Sequence, residues 1–351
     1  MKGYFLSLIQ GEKKDPLSQS LKFFLWLLSL VYGASVSLIR FLYESGWLRQ
    51  ERLPVPAISV GNLTWGGTGK TPFVIDLAKR IQLFGRKPLV LSRGYGADEW
   101  KELSFNLQHI RIGVGKDRVR IAKSLLSQEK ADVVICDDAF QHWRLNRDWN
   151  IVTMNAALPF GNGFLIPRGN LRENASALKG AHTIVLTNVD RVPPNNLTQL
   201  KRKLLDHAPQ AEWVETVHEP IHFYKASSKE IRALGSFRGV STVAVSAIGS
   251  PGLFSATLRD IGMNIKKSFE FPDHHFFKEK DLLPVKEFVN EASIQDVVTT
   301  EKDFFRVPEL WIHMLDPWIL KVRIKIISGE EKITARLLAL LKLLSKETVY
   351  A

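Results

Sequence analysis

The stretch from Gly61 to Thr71, GNLTWGGTGKT, has the residue types of a phosphate-binding loop. Such a loop reads Gly, four residues, then Gly-Lys-Ser/Thr, and its converging backbone N–H groups bind phosphate oxygens. Here Gly69-Lys70-Thr71 are in place, but Thr64 stands where the first glycine is usual. We predict that a nucleotide is bound by the following residues of the loop: Thr64, Gly66, Gly67, Thr68, Gly69, Lys70 and Thr71.

Two carboxylates follow an apolar run in ICDDAFQHW, residues 135–143. Carboxylates at the end of a strand are typical of the acidic position that holds Mg²⁺ in nucleotide-binding proteins. Asp137 and Asp138 point to opposite faces if the strand continues, so the two need not share one task. Gln141 and His142 follow closely enough to line the same cleft.

Two further stretches combine glycines with cationic side chains. In LSRGYG (91–96), Arg93 follows a predicted strand, where a guanidinium can bind phosphate. The segment PFGNGFLIPRGNLRE (159–173) surrounds Arg168, Arg172 and Glu173 with three glycines and two prolines. We predict a shaped loop in which the arginines bind an anionic substrate and Glu173 reaches a metal ion.

The segment FPDHHFF (271–277) places Asp273 beside two histidines. Imidazole titrates near neutral pH and a neighbouring carboxylate can orient it, so the segment offers a general base. Adjacent histidines on a strand face opposite ways, and a metal ion shared by both is therefore not expected.

From Pro54 onward, short apolar runs alternate with amphipathic stretches. We predict buried strands over 56–62, 88–92, 132–138, 150–156 and 182–188, and helices over 70–84 and 119–128. This alternation predicts an α/β fold of the P-loop NTPase-like kind, a mostly parallel sheet flanked by helices. Apolar runs within 239–251 and 295–303 predict a smaller second α/β domain. We expect three parts along the chain: an N-terminal membrane-associated helical segment (1–52), a P-loop nucleotide-binding domain (53–215) and the smaller α/β domain that closes over the active site (216–351).

The N-terminal region predicts a membrane-associated helix. Residues 23–39 carry no charge over 17 positions, which is borderline for crossing a bilayer. Basic residues lie on both sides of the segment, so we expect it to lie in the membrane interface rather than to cross the bilayer. A buried core helix is the alternative.

The 351-residue chain carries a formal net charge of +12, from 48 Lys and Arg against 36 Asp and Glu. This excess favours an anionic partner, although it also serves solubility. No nucleic-acid-binding motif accompanies the charge, so a phosphorylated ligand or an anionic membrane is the expected partner. Cys136, the only cysteine, excludes an internal disulfide, and its apolar surroundings predict a buried thiol.

Six of these stretches, in their order, resemble the tetraacyldisaccharide 4′-kinase family of lipid A biosynthesis: SVGNLTWGGTGKTP, LSRGYG, DDAFQHWRL, PFGNGFLIPRGNLRE, FPDHHFF and TTEKD. The family's own loop carries a threonine before Gly-Gly-Thr-Gly-Lys-Thr, so Thr64 belongs to a variant loop. The resemblance implies a kinase that uses ATP and Mg²⁺ to phosphorylate the 4′-hydroxyl of a tetraacylated glucosamine disaccharide 1-phosphate, which forms lipid IVA. It also implies a peripheral or monotopic enzyme on the cytoplasmic face of a bacterial inner membrane.

The resemblance further implies roles for single residues. Residues expected to organise the metal ion are Thr71, Asp137, Gln141 and Glu173. Residues expected to bind the substrate are Arg93, His142, Arg168 and Arg172. Residues expected to act in catalysis are Asp117, Asp138, Asp273 and His274, with His274 helping to deprotonate the sugar hydroxyl after the second domain closes.

One departure from the family concerns the catalytic aspartate. Family members carry Gly-Asp-Glu-Pro after the third strand, and its aspartate pairs with the later histidine. Direct alignment with VGKDRVRIA (114–122) puts Lys116 at that position, with Asp117 one residue late. We expect Asp117 to substitute, and Asp117→Ala therefore to lose more activity than Lys116→Ala.

Two other classes of function stay open at this point. A P-loop GTPase or ATP-driven metallochaperone would fit TNVD (187–190), which partly matches a guanine-reading motif whose lysine is replaced by Val189. A divergent membrane-bound homologue that binds nucleotide without transfer, or that uses another acceptor, would fit Lys116. Preference for GTP would favour the first class, and ATP binding without phosphate transfer would favour the second.

Overall fold

The computed structural model describes residues 15–94 and 97–342, without the side chains of 97–99. It divides into two compact units. Among the described residues, the first unit comprises 15–93, 109–217 and 325–342, and the second comprises 94 and 97–108 together with 218–324. Residues 95 and 96, the end of the LSRGYG stretch, lie outside the description, as do residues 1–14 and 343–351.

The helices and strands, numbered along the described chain, follow in one sequence. They are α1 (Pro16–Glu44), β1 (Ala57–Gly61), α2 (Lys70–Leu83), β2 (Pro88–Ser92), α3 (Ala97–Asn106), β3 (Arg111–Val114), α4 (Arg118–Gln128), β4 (Val133–Asp137), β5 (Trp149–Asn155), β6 (Thr183–Thr187), α5 (Pro194–His207), β7 (Glu212–Lys225), β8 (Ile231–Ala233), β9 (Ser241–Ser246), α6 (Pro251–Ile261), β10 (Asn264–Glu270), α7 (Glu279–Glu291), β11 (Asp296–Thr300), α8 (Glu301–Arg306), α9 (Pro308–Met314), β12 (Trp318–Ser328) and α10 (Glu330–Leu340).

The first unit is built on a parallel sheet with strand order β3-β2-β4-β1-β5-β6-β7. Strands β1, β2, β4, β5 and β6 are buried along their whole length. Strands of this kind must be covered on both faces, and helices supply the cover. Helix α2, for example, buries Phe73, Leu77 and Ile81, which lie on one face at helical spacing. The sheet thus places the ends of β1 and β4 side by side.

Helix α1 packs on the first unit along one face only. Asp15 caps its first turn by accepting a hydrogen bond from the Ser18 N–H, and Pro16 opens the helix. The Tyr32 hydroxyl donates to the Arg172 carbonyl at 3.1 Å. A Cβ at Gly33 would lie 2.6 Å from Leu165 Cδ1, so a larger residue there would require the Leu165 side chain to shift. The other faces expose large apolar side chains: Leu17, Phe23, Phe24, Leu30, Val31, Leu38 and Phe41. Within the described part of the chain, α1 alone is long and apolar enough to span a bilayer, judged by length and composition.

The second unit has its own parallel strands in the order β10-β9-β11-β12, with β8 antiparallel to the end of β7. Its core contains large aromatic side chains, among them Phe277 and Trp311, whose ring centroids lie 4.8 Å apart. Helix α3 packs against α8, where Phe105 and Phe305 are in contact.

The α/β fold with a mostly parallel sheet and flanking helices is confirmed. The five predicted strands and two predicted helices of the first half each begin and end within one residue of the observed bounds. The division into 1–52, 53–215 and 216–351 stays a prediction. The compact units follow other bounds, because β7 and β12 each begin in one unit and end in the other.

Candidate active site

The predicted phosphate loop lies between β1, which ends at Gly61, and α2, which begins at Lys70. Gly69 caps α2 with a left-handed φ of 77°, and Gly66 also has a positive φ, 113°. Both positions favour glycine, because a side chain is strained there. Gly67 lies outside that region, although the sequence suggested the same freedom for it. The loop therefore leads into a helix N-terminus, where free N–H groups and the helix dipole favour an anion.

The backbone at Thr64 is positioned by pairing with the 159–173 segment and does not form a turn. It forms an isolated antiparallel bridge with Leu171, and its φ is not in the left-handed region. On either side, the Trp65 N–H donates to the Asn170 carbonyl and the Arg172 N–H donates to the Leu63 carbonyl, both at 2.7 Å. Because the backbone here is extended, the position has no need of glycine. Two stretches that the sequence singled out separately are thus joined.

A buried side-chain network holds the loop from within. The Asn62 Nδ2 atom donates to the Thr64 carbonyl at 2.6 Å and to the Thr68 hydroxyl at 3.0 Å. The Thr68 hydroxyl also lies 3.0 Å from the Thr153 hydroxyl on β5. All four residues are at most 4% exposed, so these bonds fix the loop in a dry environment.

Beside the loop, Asp138 lies between two cations. Its Oδ1 accepts a hydrogen bond from Arg172 at 2.6 Å and lies 3.6 Å from the Lys70 Nζ. Burial alone would raise the pKa of Asp138, but Lys70 and Arg172 outweigh it and hold the pKa well below its usual range. The cluster brings together residues from the loop, the end of β4 and the 159–173 segment. It presents an ammonium and a guanidinium close to a helix N-terminus, which suits a triphosphate.

Two arginines, the buried Arg118 and the partly buried Arg147, hold the turn after β4, and sequence reasoning did not identify them. Arg118 donates to the Asp138 carbonyl at 3.0 Å, and Arg147 donates to the carbonyls of Ala139 and Phe140. Asp138 itself has a left-handed φ of 49°, which is uncommon for a residue other than glycine. The arginines thus hold a turn that local preferences alone disfavour. No sequence pattern marks them, because their partners are backbone carbonyls, which every residue has.

Gln141 connects the loop to Glu173. Its Nε2 donates to the Asn62 carbonyl and to the Glu173 Oε1, both at 2.9 Å. The second oxygen of Glu173 lies 3.7 Å from the Arg40 guanidinium of α1. Burial raises the pKa of Glu173 above its usual value, in spite of these donors. Gln141 and Glu173, both expected to organise metal, are engaged with each other here, and their metal role stays a prediction.

His142 lies in the same turn among arginines. Burial, followed by the charges of Arg118 and Arg147, lowers the pKa of His142 to about 4. Its Nε2 is buried and has no hydrogen-bond partner among the residues that the structure describes. The imidazole is thus neutral near pH 7 and has a lone pair or a proton to offer a ligand.

Thr71 and Asp137 provide the types of oxygen that Mg²⁺ takes beside a nucleotide. Thr71 lies in the first turn of α2, and Asp137 ends β4 opposite Val60 of β1. Within residues 15–94 and 97–342, no three His, Cys, Asp or Glu residues are grouped to hold a metal ion. Mg²⁺ beside a nucleotide is usually held by one or two protein oxygens together with phosphates, and the metal role of Thr71 and Asp137 stays a prediction.

The remaining candidates of the first unit differ in their surroundings. Arg93 is exposed at the end of β2. The Arg168 guanidinium lies 4.4 Å from the centre of the Phe164 ring. Asp117 caps α4 by accepting from the Arg120 N–H at 3.1 Å, and its second oxygen pairs with Arg144 at 3.1 Å. These bonds, that from Arg120 foremost, lower the pKa of Asp117. The catalytic role of Asp117 stays a prediction.

The second unit brings Asp273 and His274 together with Lys302. The Lys302 Nζ lies 3.2 Å from Asp273 Oδ1 and 3.3 Å from His274 Nε2. His274 has a left-handed φ of 59°, and its N–H donates to Asp273 at 3.0 Å. The neighbouring His275 instead pairs with Asp281 at 3.0 Å and stacks on Phe271. The two histidines therefore have different surroundings.

The expected aspartate has a second partial match that the direct alignment passed over. Residues 96–100 read Gly-Ala-Asp-Glu-Trp, which shares Asp-Glu with the family pattern but has an extra alanine after the glycine and Trp100 in place of the proline. Asp98 lies in the first turn of α3, which packs against α8, the helix that carries Lys302. This match precedes β3, whereas the expected position of the pattern follows that strand.

Comparison with known proteins covers nearly the whole chain. The family model described as tetraacyldisaccharide-1-P 4′-kinase matches residues 21–109 and 98–342. The tetraacyldisaccharide 4′-kinase of Elusimicrobium minutum is 34% identical over 91% of this chain and 92% of its own. A probable mitochondrial tetraacyldisaccharide 4′-kinase of Arabidopsis thaliana is 33% identical over 87% and 86%, respectively. The crystal structure of LpxK from Aquifex aeolicus in complex with ATP superposes with a TM-score of 0.67 at 26% identity, covering 90% of this chain and 99% of that one. With the loop, the turn after β4 and the Asp-His pair all in place, this chain belongs to the tetraacyldisaccharide-1-P 4′-kinase family.

Proposed function

We propose that this protein transfers the γ-phosphoryl group of ATP to the 4′-hydroxyl of a tetraacylated glucosamine disaccharide 1-phosphate, giving lipid IVA and ADP. The observation that carries the proposal is the cluster of Lys70, Asp138 and Arg172 beside a glycine loop that opens α2. Family membership and the ATP complex of the Aquifex aeolicus relative support the same reaction.

The first unit's residues bind and hold the triphosphate. Lys70 and the N–H groups around Gly69 would contact its phosphates, and Arg172 adds a second cation. When bound, Mg²⁺ would neutralise charge on the phosphate oxygens, with Thr71 and Asp137 as its protein ligands. Asp138 keeps Lys70 and Arg172 at fixed positions, because it is ionised between them.

Transfer forms a bond from the 4′-oxygen to the γ-phosphorus and breaks the bond from that phosphorus to the β–γ bridging oxygen. ADP leaves, and the hydroxyl proton passes to His274, for which Asp273 is the neighbouring carboxylate. We propose Asp98, rather than Asp117, as the aspartate that assists His274 in this step. The capping bonds of Asp117 and the position of Asp98 on α3, against α8 of the same unit, support the choice.

The transfer is tested with purified protein, ATP, Mg²⁺ and the acylated disaccharide 1-phosphate in mixed micelles. The product should gain one phosphoryl group by mass spectrometry. Lys70→Ala should lower kcat by a factor on the order of 10² to 10³, the usual effect of removing one charge-stabilising donor. The matched control is Lys87→Ala, an exposed lysine beside β2. GTP-dependent turnover, or ATP binding without any product, would contradict the proposal.

The choice of aspartate has its own test. Asp98→Ala should lose roughly 10²-fold or more in kcat, the typical contribution of a general acid or base. Asp117→Ala should keep kcat and lose about 1 kcal/mol of stability, since it removes a helix cap. If Asp117→Ala loses more activity than Asp98→Ala, the original expectation for Asp117 holds.

We also propose that α1 attaches the protein to the cytoplasmic face of an anionic membrane, where the acylated substrate lies. The exposed apolar faces of α1 supply the hydrophobic contact. The net charge of +12 favours an anionic surface. Packing of Tyr32 and Gly33 against the first unit supports a helix that lies along the interface.

A further inference from the structure

Lys302, in the TTEKD stretch, has a position that the reaction described above leaves unexplained. Its ammonium is shared between the carboxylate of Asp273 and the imidazole of His274, at 3.2 and 3.3 Å. The side chain is 21% exposed, so the contact is neither fully buried nor freely solvated. A lysine that merely served solubility would not be expected to bridge a carboxylate and an imidazole.

The backbone of Ala247 forms hydrogen bonds both with α8, which carries Lys302, and with the turn that carries His274. Asp303, wholly buried in α8, accepts from the Ala247 N–H at 3.0 Å and from the Thr300 hydroxyl at 2.8 Å. Arg306 pairs with Asp303 at 2.7 Å and donates to the Ala247 carbonyl. The same carbonyl accepts the His274 N–H at 3.3 Å. The helix that carries Lys302 and the turn that carries His274 are therefore tied together.

The direction of the hydrogen bond to His274 follows from the chemistry of the two groups. An ammonium has three donors and no acceptor, so the His274 Nε2 must accept with its lone pair. In the neutral imidazole the proton then lies on Nδ1. Lys302 thus selects the tautomer in which Nε2 is the basic atom.

We propose that Lys302 is a positioning residue for phosphoryl transfer, which holds the His274 Nε2 lone pair ready for the acceptor hydroxyl. The hydroxyl, also a donor, replaces the ammonium at Nε2 when the sugar binds. Lys302 keeps its contact with Asp273 during this exchange. The inference rests on the proposed kinase function for its activity readout, but not for its spectroscopic one.

The kinetic test compares Lys302→Met, which removes the donors and keeps most of the stem, with Lys302→Arg, which keeps a cationic donor. Lys302→Met should lower kcat about tenfold or more, because part of the contribution of a positioned base is lost, while KM for ATP changes less than twofold. Lys302→Arg should recover part of kcat. Lys286→Met, at an exposed position on α7 of the same unit, is the matched control and should behave as wild type.

The spectroscopic test uses ¹⁵N-labelled histidine in the full-length protein, with His274→Gln to identify the signal. In wild type the Nε2 of neutral His274 should be of the unprotonated, pyridine type, and in Lys302→Met it should move toward the average of the two tautomers. A protonated Nε2 in wild type, or a spectrum unchanged in Lys302→Met, would overturn the inference. So would a Lys302→Met enzyme with wild-type kcat. If wild type transfers no phosphate to the lipid, the proposed function fails while the spectrum still decides the tautomer.

Discussion

Replacing Thr68 by valine tests whether the buried hydrogen-bond network holds the free loop in the conformation that binds ATP. Valine keeps the shape of threonine and removes the hydroxyl, which bonds to Asn62 and Thr153 at 3.0 Å each. Asn62 keeps its bond to the Thr64 carbonyl, and Thr153 keeps a 3.3 Å bond to the Gly61 carbonyl. Thr153 thus keeps a partner, while one N–H of Asn62 loses its acceptor, and the loss of the two hydrogen bonds costs about 2 kcal/mol.

The effect on ATP depends on how the loop responds. If the loop relaxes without these bonds, binding must restore its shape, and up to about 2 kcal/mol is lost from the binding free energy. This corresponds to an increase in the Kd for ATP of up to roughly thirtyfold. Isothermal titration of ATP against wild type and Thr68→Val measures the change, and denaturant unfolding measures the stability of each.

Thr216→Val is the matched control. Thr216 is also wholly buried in the first unit, and its hydroxyl donates to one carbonyl, that of Leu186, at 3.3 Å. We expect a loss of about 1 kcal/mol in stability and no change in the Kd for ATP. If Thr68→Val binds ATP within twofold of this control, the network does not prepare the loop and the reasoning is refuted.

Three further predictions concern pH, packing and the membrane. The pKa of His142 is about 4 in the folded protein, below its value of 6.5 in the unfolded chain, so the unfolding free energy should fall as pH drops through this window. His142→Phe should make this fall smaller, as measured by urea unfolding between pH 6.5 and about 4. Gly61→Ala should lose about 1–3 kcal/mol, measured as a lower Tm, because its Cβ would lie 2.6 Å from backbone and side-chain atoms of the turn after β4. Gly252→Ala, where the added Cβ meets open space, is its control. Leu30→Glu on the exposed face of α1 should weaken sedimentation with anionic vesicles roughly tenfold or more, because one leucine contributes about 1.5–3 kcal/mol, whereas exposed Leu205→Glu on α5 should not.

Each of these has a contrary result. An equal pH dependence in His142→Phe would mean that another group controls acid sensitivity. A Gly61→Ala protein as stable as wild type would mean that the turn after β4 moves freely. Vesicle binding that responds to Leu205→Glu as strongly as to Leu30→Glu would remove α1 from the attachment.

The strands of the first unit could be predicted almost to the residue because each is an apolar run buried on both faces. For the same reason, the loop and the carboxylates at the ends of β1 and β4 could be placed at one edge of the sheet. The joining of Thr64 to Leu171 could not be foreseen, since it depends on how a glycine-rich segment folds back over a loop about a hundred residues earlier.

The features of the site that the sequence does not reveal have a common physical origin. Arg118 and Arg147 were passed over because their hydrogen bonds go to carbonyl groups, which every residue has. The alignment predicts a catalytic role for Asp117, and that role stays a prediction, while its hydrogen bond as a helix cap becomes visible only in the structure. In both cases the environment of the side chain, rather than its type, decides its task.

The contact of Tyr32 with the Arg172 carbonyl bears on how the protein is handled in the laboratory. Deleting the apolar first 45 residues to obtain a soluble form would remove the Tyr32 hydroxyl. It would also leave Leu165 without its packing contact at Gly33. The segment thus released also pairs with the phosphate loop. The truncated protein would therefore bind ATP less well and have a lower activity, even in detergent solution without a lipid bilayer.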